Sequence, residues 1–132
     1  MIVDTSALIA SAQNEPEAAA LSAALQAADT ISISASTLLE ACIVIDGRRS
    51  PLVTRRFEEV LASTAVTVVP FGEEHLRVAR AAYRDYGRGS GHPANLNFGD
   101  CFSYALAAER REPLLYVGDD FVHTDIRSAL AD

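Results

Sequence analysis

The sequence predicts a single α/β domain over residues 1–132, with a mostly parallel central sheet that helices cover on both faces. Short strand-like segments alternate with helical segments along the whole chain. Strands separated by helices need crossover connections, which favour parallel pairing. The chain has 132 residues, of which 49% are apolar. This is enough for one domain with its own core.

The chain begins with a strand and two helices. The apolar residues Met1–Val3 predict a short buried strand, and a helix follows through Ala12. Asn-Glu-Pro then indicates a turn, because proline is favoured at the start of a helix. Pro16 therefore opens a second helix over Glu17–Ala28, with leucines one turn apart.

A second strand and two further helices follow. Ile31–Ile33 alternates in polarity as a strand does. The next helix is predicted from about Ser36 to Asp46, where a glycine closes it. Another helix runs over Pro51–Ser63, with Ser50 as its N-cap.

The last third predicts two strands and two helices. Ala65–Val69 is β-branched and ends at a proline, and Glu73–Tyr86 is helical, with acidic residues first and arginines later. Gly87–Asn95 is a glycine-rich loop. A helix over Asn97–Arg111 and a strand over Leu114–Val117 complete the domain.

Acidic residues follow these strands. Asp4 ends the first strand, Asp119 and Asp120 follow the last, and Glu40 and Asp100 lie in the predicted first turns of two helices. Ligands of open parallel sheets bind outside the carboxyl ends of the strands. Asp4, Glu40 and Asp119 are therefore expected to converge, with Asp100 joining them if its helix starts at the same edge.

Each acid also has a local explanation. Asp4 could be an N-cap, and Thr37 with Glu40 fits a capping box. Asp100 could occupy the third position of a helix capped by asparagine, where the helix dipole favours it. Asp119 and its neighbour could be turn residues. Taken together these explanations weaken, because two carboxylates about 5 Å apart repel by about 3 kcal/mol at an effective dielectric near 20. Such a cluster predicts Mg²⁺ or Mn²⁺, which prefer oxygen ligands.

The composition excludes several classes of protein. The formal net charge of −7 argues against a broadly basic nucleic-acid surface. The chain contains no lysine, which excludes Walker-type phosphate loops and Schiff-base chemistry. No apolar run reaches the roughly 18 residues of a membrane span, and no signal-peptide pattern is present, so a cytoplasmic protein is expected. The two cysteines are predicted to be reduced and buried.

Four segments together resemble PIN-domain proteins, and more narrowly the VapC-type toxins of prokaryotic type II toxin–antitoxin systems. They are "MIVDTSALIA", "ISASTLLEACIVI", "LNFGDCFSYALA" and "EPLLYVGDDFVHTDI". The resemblance covers essentially the whole chain. It implies a PIN-like α/β/α sandwich and a metal-dependent endoribonuclease that cleaves RNA with metal-activated water. A cognate antitoxin and a homodimer are the partners expected.

The resemblance also assigns roles to individual residues. The acidic positions of the family fall on Asp4, Glu40, Asp100 and Asp119, with Asp4 and Asp100 as the principal metal ligands. Many relatives have two residues between the last acid and the following phenylalanine, whereas one separates Asp119 from that phenylalanine here. Asp120 is therefore the alternative fourth acid. The alternative function is a catalytically inactive PIN-like module for protein binding or dimerisation.

Two surfaces are predicted to contact partners. Arg84 and Arg88 lead into the glycine-rich loop before the Asp100 helix and are the candidates for RNA binding. The helices over Pro51–Ser63 and Ala18–Ala28 are the candidates for docking an amphipathic antitoxin helix. The alternatives are a solvated connecting loop in the first case and core packing in the second.

Overall fold

The computed structural model describes residues 1–130, in which six helices alternate with four strands. The predicted domain also includes residues 131 and 132, which lie outside the described residues. The elements are β1 (Ile2–Val3), α1 (Thr5–Ala12), α2 (Ala18–Ala27), β2 (Ser32–Ser34), α3 (Ala35–Gly47), α4 (Pro51–Thr64), β3 (Thr67–Val69), α5 (Glu73–Tyr86), α6 (Phe98–Arg110) and β4 (Leu114–Leu115).

The four strands form one fully parallel sheet in the order β3-β2-β1-β4, which confirms the predicted fold class. The chain moves from β1 through β2 to β3 in one direction and then returns past β1 to place β4 on its other side. The direction of winding therefore reverses between β1 and β4. In open parallel sheets this reversal creates the crevice in which ligands bind.

Helices cover both faces of the sheet because successive strand residues point to opposite sides. Val3, Ile33 and Leu115 pack against α1, α2, α3 and α4. Ile2 and Leu114 belong to the opposite face and pack against α5 and α6. The result is the α/β/α sandwich that the sequence predicted.

β1, β3 and β4 are shorter than predicted and β2 is shifted by one residue, while the helices lie within a few residues of their predicted bounds. The difference that matters most for the site is at the start of α3. This helix begins at Ala35, directly after β2 ends at Ser34, because no loop separates the two elements. Glu40 is therefore the sixth residue of α3, and its predicted place in the first turn is wrong.

The long connection between α5 and α6 is a loop, as predicted, and hydrogen bonds close it at its ends. Its ends pair at Gly87 and Leu96, where the Arg88 N–H donates to the Leu96 carbonyl at 2.9 Å and the Leu96 N–H donates to the Tyr86 carbonyl at 2.9 Å. The loop therefore leaves and re-enters the fold at one place, close to the start of α6.

Two smaller predictions concern the cysteines and membranes. Both cysteines are free thiols; Cys101 is buried, as predicted, whereas Cys42 is only half-buried beside the core. Within residues 1–130, every helix is too short or too polar to cross a bilayer.

Candidate active site

Asp4 lies at the carboxyl end of β1 and is almost fully buried. It is the N-cap of α1, as one of the two interpretations predicted, and its Oδ2 accepts from the Ser6 N–H at 3.0 Å and the Ser6 Oγ at 2.7 Å. Its Oδ1 accepts from the Ser103 Oγ at 2.5 Å. Hydrogen bonds therefore orient both carboxylate oxygens, with α1 binding Oδ2 and α6 binding Oδ1.

The ends of β1 and β4 are joined beside Asp4. The Asp4 N–H donates to the Leu115 carbonyl at 3.0 Å, and the Val117 N–H donates to the Ser6 Oγ at 3.0 Å. The Ser6 hydroxyl therefore connects Asp4 to the segment that carries Asp119 and Asp120. Ser6 thus holds the Asp4 carboxylate in one orientation.

Asp100 is buried in the first turn of α6. Asn97 and Asp100 form a reciprocal capping box: the Asp100 N–H donates to Asn97 Oδ1 at 2.9 Å, and the Asn97 N–H donates to an Asp100 carboxylate oxygen at 2.9 Å. The local capping explanation is correct, and it does not compete with convergence. Because Ser103, one turn further along α6, contacts Asp4, the cap faces the same edge of the sheet.

The electrostatics of Asp100 are unusual for a carboxylic acid. Burial, the largest cause, and the charges of Asp120 and Asp4 together raise its pKa from 3.8 to about 7, against the opposing effect of the Asn97 N–H. A side-chain hydrogen bond with Asp120 acts in the same direction. Asp4, Asp100 and Asp120 are therefore close enough to interact, and without a cation the Asp100 carboxyl holds its proton to a higher pH than an ordinary aspartate does.

Glu40 lies between Thr5, which follows Asp4 in the chain, and Gly99, which precedes Asp100. Its Oε1 accepts from the Thr5 Oγ1 at 2.6 Å. On the other side its carboxylate lies against Gly99, where an added Cβ would overlap it. The Thr37–Glu40 capping box is not formed, because Ser34 is the N-cap of α3 and the Thr37 hydroxyl pairs with Ser103 instead.

Asp119 and Asp120 both follow β4 and are exposed. Asp120 is the one whose charge and side chain raise the pKa of Asp100. The contact with Asp100 therefore favours Asp120 as the fourth acid, and the assignment to Asp119 stays a prediction.

The donor set of this edge suits a hard divalent cation. Within residues 1–130, no three His, Cys, Asp or Glu side chains are placed to ligate one ion simultaneously. Mg²⁺ commonly binds through one or two carboxylates and keeps several waters. Asp4 and Asp100 provide two such carboxylates, and a cation would relieve the repulsion that raises the Asp100 pKa. The residues therefore fit a partly hydrated Mg²⁺ or Mn²⁺ ion.

Three neighbouring residues were not singled out as site residues from the sequence. Ser103 and Thr37 form a buried hydroxyl pair, at 3.2 Å, beside Asp4. Gly99 leaves room for the Glu40 carboxylate. Two signals were present: Ser103 follows Asp100 by three residues, which places both on one helix face, and a glycine in the first turn of a helix indicates close approach.

The predicted RNA-binding arginines are exposed. Arg84 contacts Asp85 in the last turn of α5 at 3.3 Å. It also lines an apolar groove that reaches Phe98 at the start of α6. The backbone of Arg88 pairs with Leu96. Both arginines are thus near the amino-terminal end of α6, as the prediction required.

The raised pKa of Asp100 predicts how the stability of the metal-free protein depends on pH. The folded protein binds the Asp100 proton more tightly than the unfolded chain does, so stability from this group is full below pH about 4 and is lost as the pH rises through about 7. In EDTA, the melting temperature of Asp100→Asn should therefore rise relative to that of the wild type as the pH increases from 4.5 to 8.

Two variants test the cause of this shift. In an Asp120→Asn background, the pH-dependent difference in melting temperature caused by Asp100→Asn should be smaller, because a charge that raises the Asp100 pKa is gone. In an Asp119→Asn background this difference should be unchanged. A constant difference between wild type and Asp100→Asn across this pH range would contradict the raised pKa.

Comparison with known proteins identifies the family of this chain. The PIN domain family model matches residues 1–127. Ribonuclease VapC28 of Mycobacterium tuberculosis is 54% identical over 130 residues, covering 98% of each chain, and Ribonuclease VapC42 of the same species is 47% identical over 129 residues, again covering 98% of each.

Two solved structures share the fold. The crystal structure of Mycobacterium tuberculosis VapC20, described as a Sarcin-Ricin loop cleaving toxin, superposes with a TM-score of 0.69 at 17% identity, covering 96% of this chain and 98% of the other. A toxin–antitoxin complex from Klebsiella pneumoniae gives a TM-score of 0.68 at 19% identity, covering 97% and 96%. The chain therefore belongs to the PIN domain family, and its full-length relatives place it among the VapC proteins.

Proposed function

We propose that this chain is a Mg²⁺-dependent endoribonuclease that acts as the toxin of a toxin–antitoxin pair. The observation that carries the proposal is the pair Asp4 and Asp100. Both are buried at the carboxyl edge of the sheet, and the pKa of Asp100 is raised to about 7. Relatives that match the full length are named ribonucleases, which supports the reaction class.

Asp4 and Asp100 would hold the cation, directly or through water, while Glu40 and an acid after β4 would complete the pocket. When bound, the ion would lower the pKa of the attacking water and stabilise the negative charge that develops on the phosphate in the transition state. The protein contributes orientation. Ser6 and Ser103 fix the Asp4 carboxylate, Asn97 fixes that of Asp100, and Thr5 fixes that of Glu40.

The same edge accounts for how an acidic protein holds RNA. With a net charge of −7, distant phosphates are repelled. The amino termini of α1 and α6 lie at the site, and their helix dipoles favour negative charge. Binding should therefore depend on the cation, on these helix ends and on a few nearby arginines.

The direct test uses purified protein and RNA. Cleavage should appear with Mg²⁺ or Mn²⁺ and stop in EDTA, and sequencing of the new RNA ends would define the bond that is cut. Calorimetry should detect Mn²⁺ binding. A protein that binds no divalent cation and cleaves no RNA in either metal would favour the inactive, partner-binding alternative.

Arg84 and Arg88 give a prediction about substrate binding. Replacing both with alanine should weaken RNA binding and reduce the slope of log K against log[salt] by about 1.4, since each contact with a single-stranded phosphate contributes about 0.7. Binding is best measured in an Asp100→Asn background, where the RNA stays intact.

The control for this pair is Arg55→Ala with Arg56→Ala on α4, away from the α6 amino terminus; Arg55 pairs with Glu59 in the same helix. That double variant should retain the wild-type slope. An unchanged slope in the Arg84 and Arg88 variant would place the RNA elsewhere, for example along Arg48 and Arg49.

The proposed antitoxin site moves from the surface that the sequence suggested. Leu21, Leu25 and Phe57 of α2 and α4 are buried in the core, so these three side chains are not available for docking, while Val60 and Leu61 of α4 are half-buried and pack partly against that core. Exposed apolar side chains lie instead beside the site: Leu39 and Ile43 of α3 are 61% and 63% exposed, and Phe98 of α6 is 77% exposed.

These three side chains line one groove of about 370 Å³ that also contains Glu40 and Gly99. An antitoxin segment with apolar residues and a cationic side chain matches both the apolar wall and the carboxylates. The Klebsiella structure is itself a toxin–antitoxin complex, which supports this kind of partner. The homodimer stays a prediction that sedimentation equilibrium can test.

Substitutions in the groove should weaken the complex. Leu39→Ser together with Phe98→Ser should raise the dissociation constant of the complex by about 100-fold or more, because apolar anchors at interface centres contribute about 2 kcal/mol or more each. The partner to test is any small protein encoded directly beside this gene, and calorimetry measures the affinity. Leu52→Ser, which removes an exposed leucine of α4, is the control, and equal losses in both variants would contradict the assignment.

A further inference from the structure

Ser103 occupies a special place in α6. Its hydroxyl is fully buried and donates to Asp4 Oδ1 at 2.5 Å. It follows Asp100 by three residues, so both side chains lie on the same face of the helix. We propose that Ser103 is a positioning residue that holds the Asp4 carboxylate in the orientation needed to bind a divalent cation, an inference that rests on the proposed function.

Counting hydrogens fixes the direction of this contact. A serine hydroxyl carries one hydrogen, and an ionised carboxylate carries none. Ser103 therefore gives its hydrogen to Asp4, and the 3.2 Å contact between the Ser103 and Thr37 hydroxyls must have Thr37 as the donor. The buried chain runs from Thr37 through Ser103 to Asp4.

The chain locks the carboxylate from two directions. Oδ2 is held by Ser6, which belongs to the same helix as the cap itself, and Oδ1 is held by Ser103, which belongs to the helix that carries Asp100. Without Ser103 the Asp4 carboxylate could rotate about its Cβ–Cγ bond while still accepting from Ser6. With Ser103 in place, α6 sets the orientation of both principal acids.

Thr37 adds a connection to α3, the helix that carries Glu40. The Thr5 Oγ1 donates to Glu40 Oε1 at 2.6 Å and also lies 3.1 Å from the Thr37 carbonyl oxygen. Thr37 thus links the two acids: its hydroxyl contacts the Ser103 hydroxyl beside Asp4, and its carbonyl oxygen contacts the Thr5 hydroxyl that binds Glu40. Ser103 is the member of this set that touches a proposed metal ligand from another element.

The test measures cation binding rather than activity. In Ser103→Ala the dissociation constant for Mn²⁺, measured by calorimetry on the full chain, should rise about 10- to 100-fold, the usual effect of removing a group that orients a metal ligand. Ser32→Ala is the matched control, because Ser32 is also a buried serine but accepts from Arg110 at 3.3 Å. It should lose some thermal stability and bind Mn²⁺ as the wild type does.

A second variant covers the case in which Ser103→Ala does not fold. Ser103→Cys keeps a side chain at this place but offers only a weak S–H donor, so Mn²⁺ affinity should fall several-fold. Wild-type affinity in either folded Ser103 variant, or an equal loss in Ser32→Ala, would overturn the assignment. Failure of the wild type to bind Mn²⁺ would instead overturn the proposed function together with this inference.

Discussion

Asp4→Asn and Asp100→Asn should each reduce Mg²⁺-dependent RNA cleavage by about 10³-fold or more. Each substitution replaces a charged oxygen ligand at the carboxyl edge of the sheet with a neutral amide. A metal contributes several kcal/mol of transition-state stabilisation, and about 4 kcal/mol corresponds to roughly 10³-fold in rate. The measurement is the rate of cleavage at saturating Mg²⁺, with Mn²⁺ affinity measured in parallel.

The two variants should differ in stability. Asp100 accepts one backbone hydrogen bond, from Asn97, and an asparagine oxygen can accept the same bond while relieving the burial and repulsion that raise the pKa. Asp100→Asn should therefore be at least as stable as the wild type near pH 7. Asp4 accepts on both oxygens, and an amide nitrogen cannot replace one of them. Asp4→Asn should lose about 1–3 kcal/mol.

A control separates loss of ligation from loss of charge. Asp29→Asn removes an exposed acid that precedes β2, at the opposite edge of the sheet from Asp4. It changes the net charge by the same amount and should cleave RNA at the wild-type rate. Near-wild-type cleavage by a folded Asp4→Asn or Asp100→Asn protein would show that these two residues are not the principal ligands.

The location of the site could be predicted from sequence because it follows from topology. Alternation of strands and helices implies a parallel sheet, and a parallel sheet brings Asp4 and the residues after β4 to one edge. Asp100 joins them through the capping box of α6. In the sequence, capping and convergence are competing explanations for these acids, whereas in the structure Asp4 and Asp100 each do both.

Finer features depend on distances that sequence patterns do not contain. The Thr37–Glu40 pattern wrongly places Glu40 in a first turn capped by Thr37, because the actual N-cap of α3 is Ser34, three residues earlier. Thr37 pairs with Ser103, which is 66 residues away in sequence, so its local pattern suggested a capping box that does not form. The choice between Asp119 and Asp120 depends on which side chain turns towards Asp100, and spacing alone left it open.

Gly99 is the position where local helix preference and the site oppose each other. It is the second residue of α6, and alanine normally stabilises a helix relative to glycine by about 1 kcal/mol. At this position an added Cβ would overlap the Glu40 carboxylate, with the Cδ and Oε1 atoms of Glu40 only 2.8 Å away. Glu40 would have to rotate away and would lose its 2.6 Å hydrogen bond from Thr5.

Gly99→Ala should therefore leave thermal stability nearly unchanged while cleavage falls by about 10²-fold, the usual effect of displacing a site group by about 1 Å. Gly47→Ala is the matched control, because a Cβ at Gly47 in α3 would meet nothing within 4 Å. That variant should be as stable as the wild type or more so, and fully active. Shortening the acid in Gly99→Ala with Glu40→Asp should recover part of the lost rate by making room for the new methyl group. If Gly99→Ala cleaved RNA at the wild-type rate, the position of the Glu40 carboxylate would have no part in the reaction.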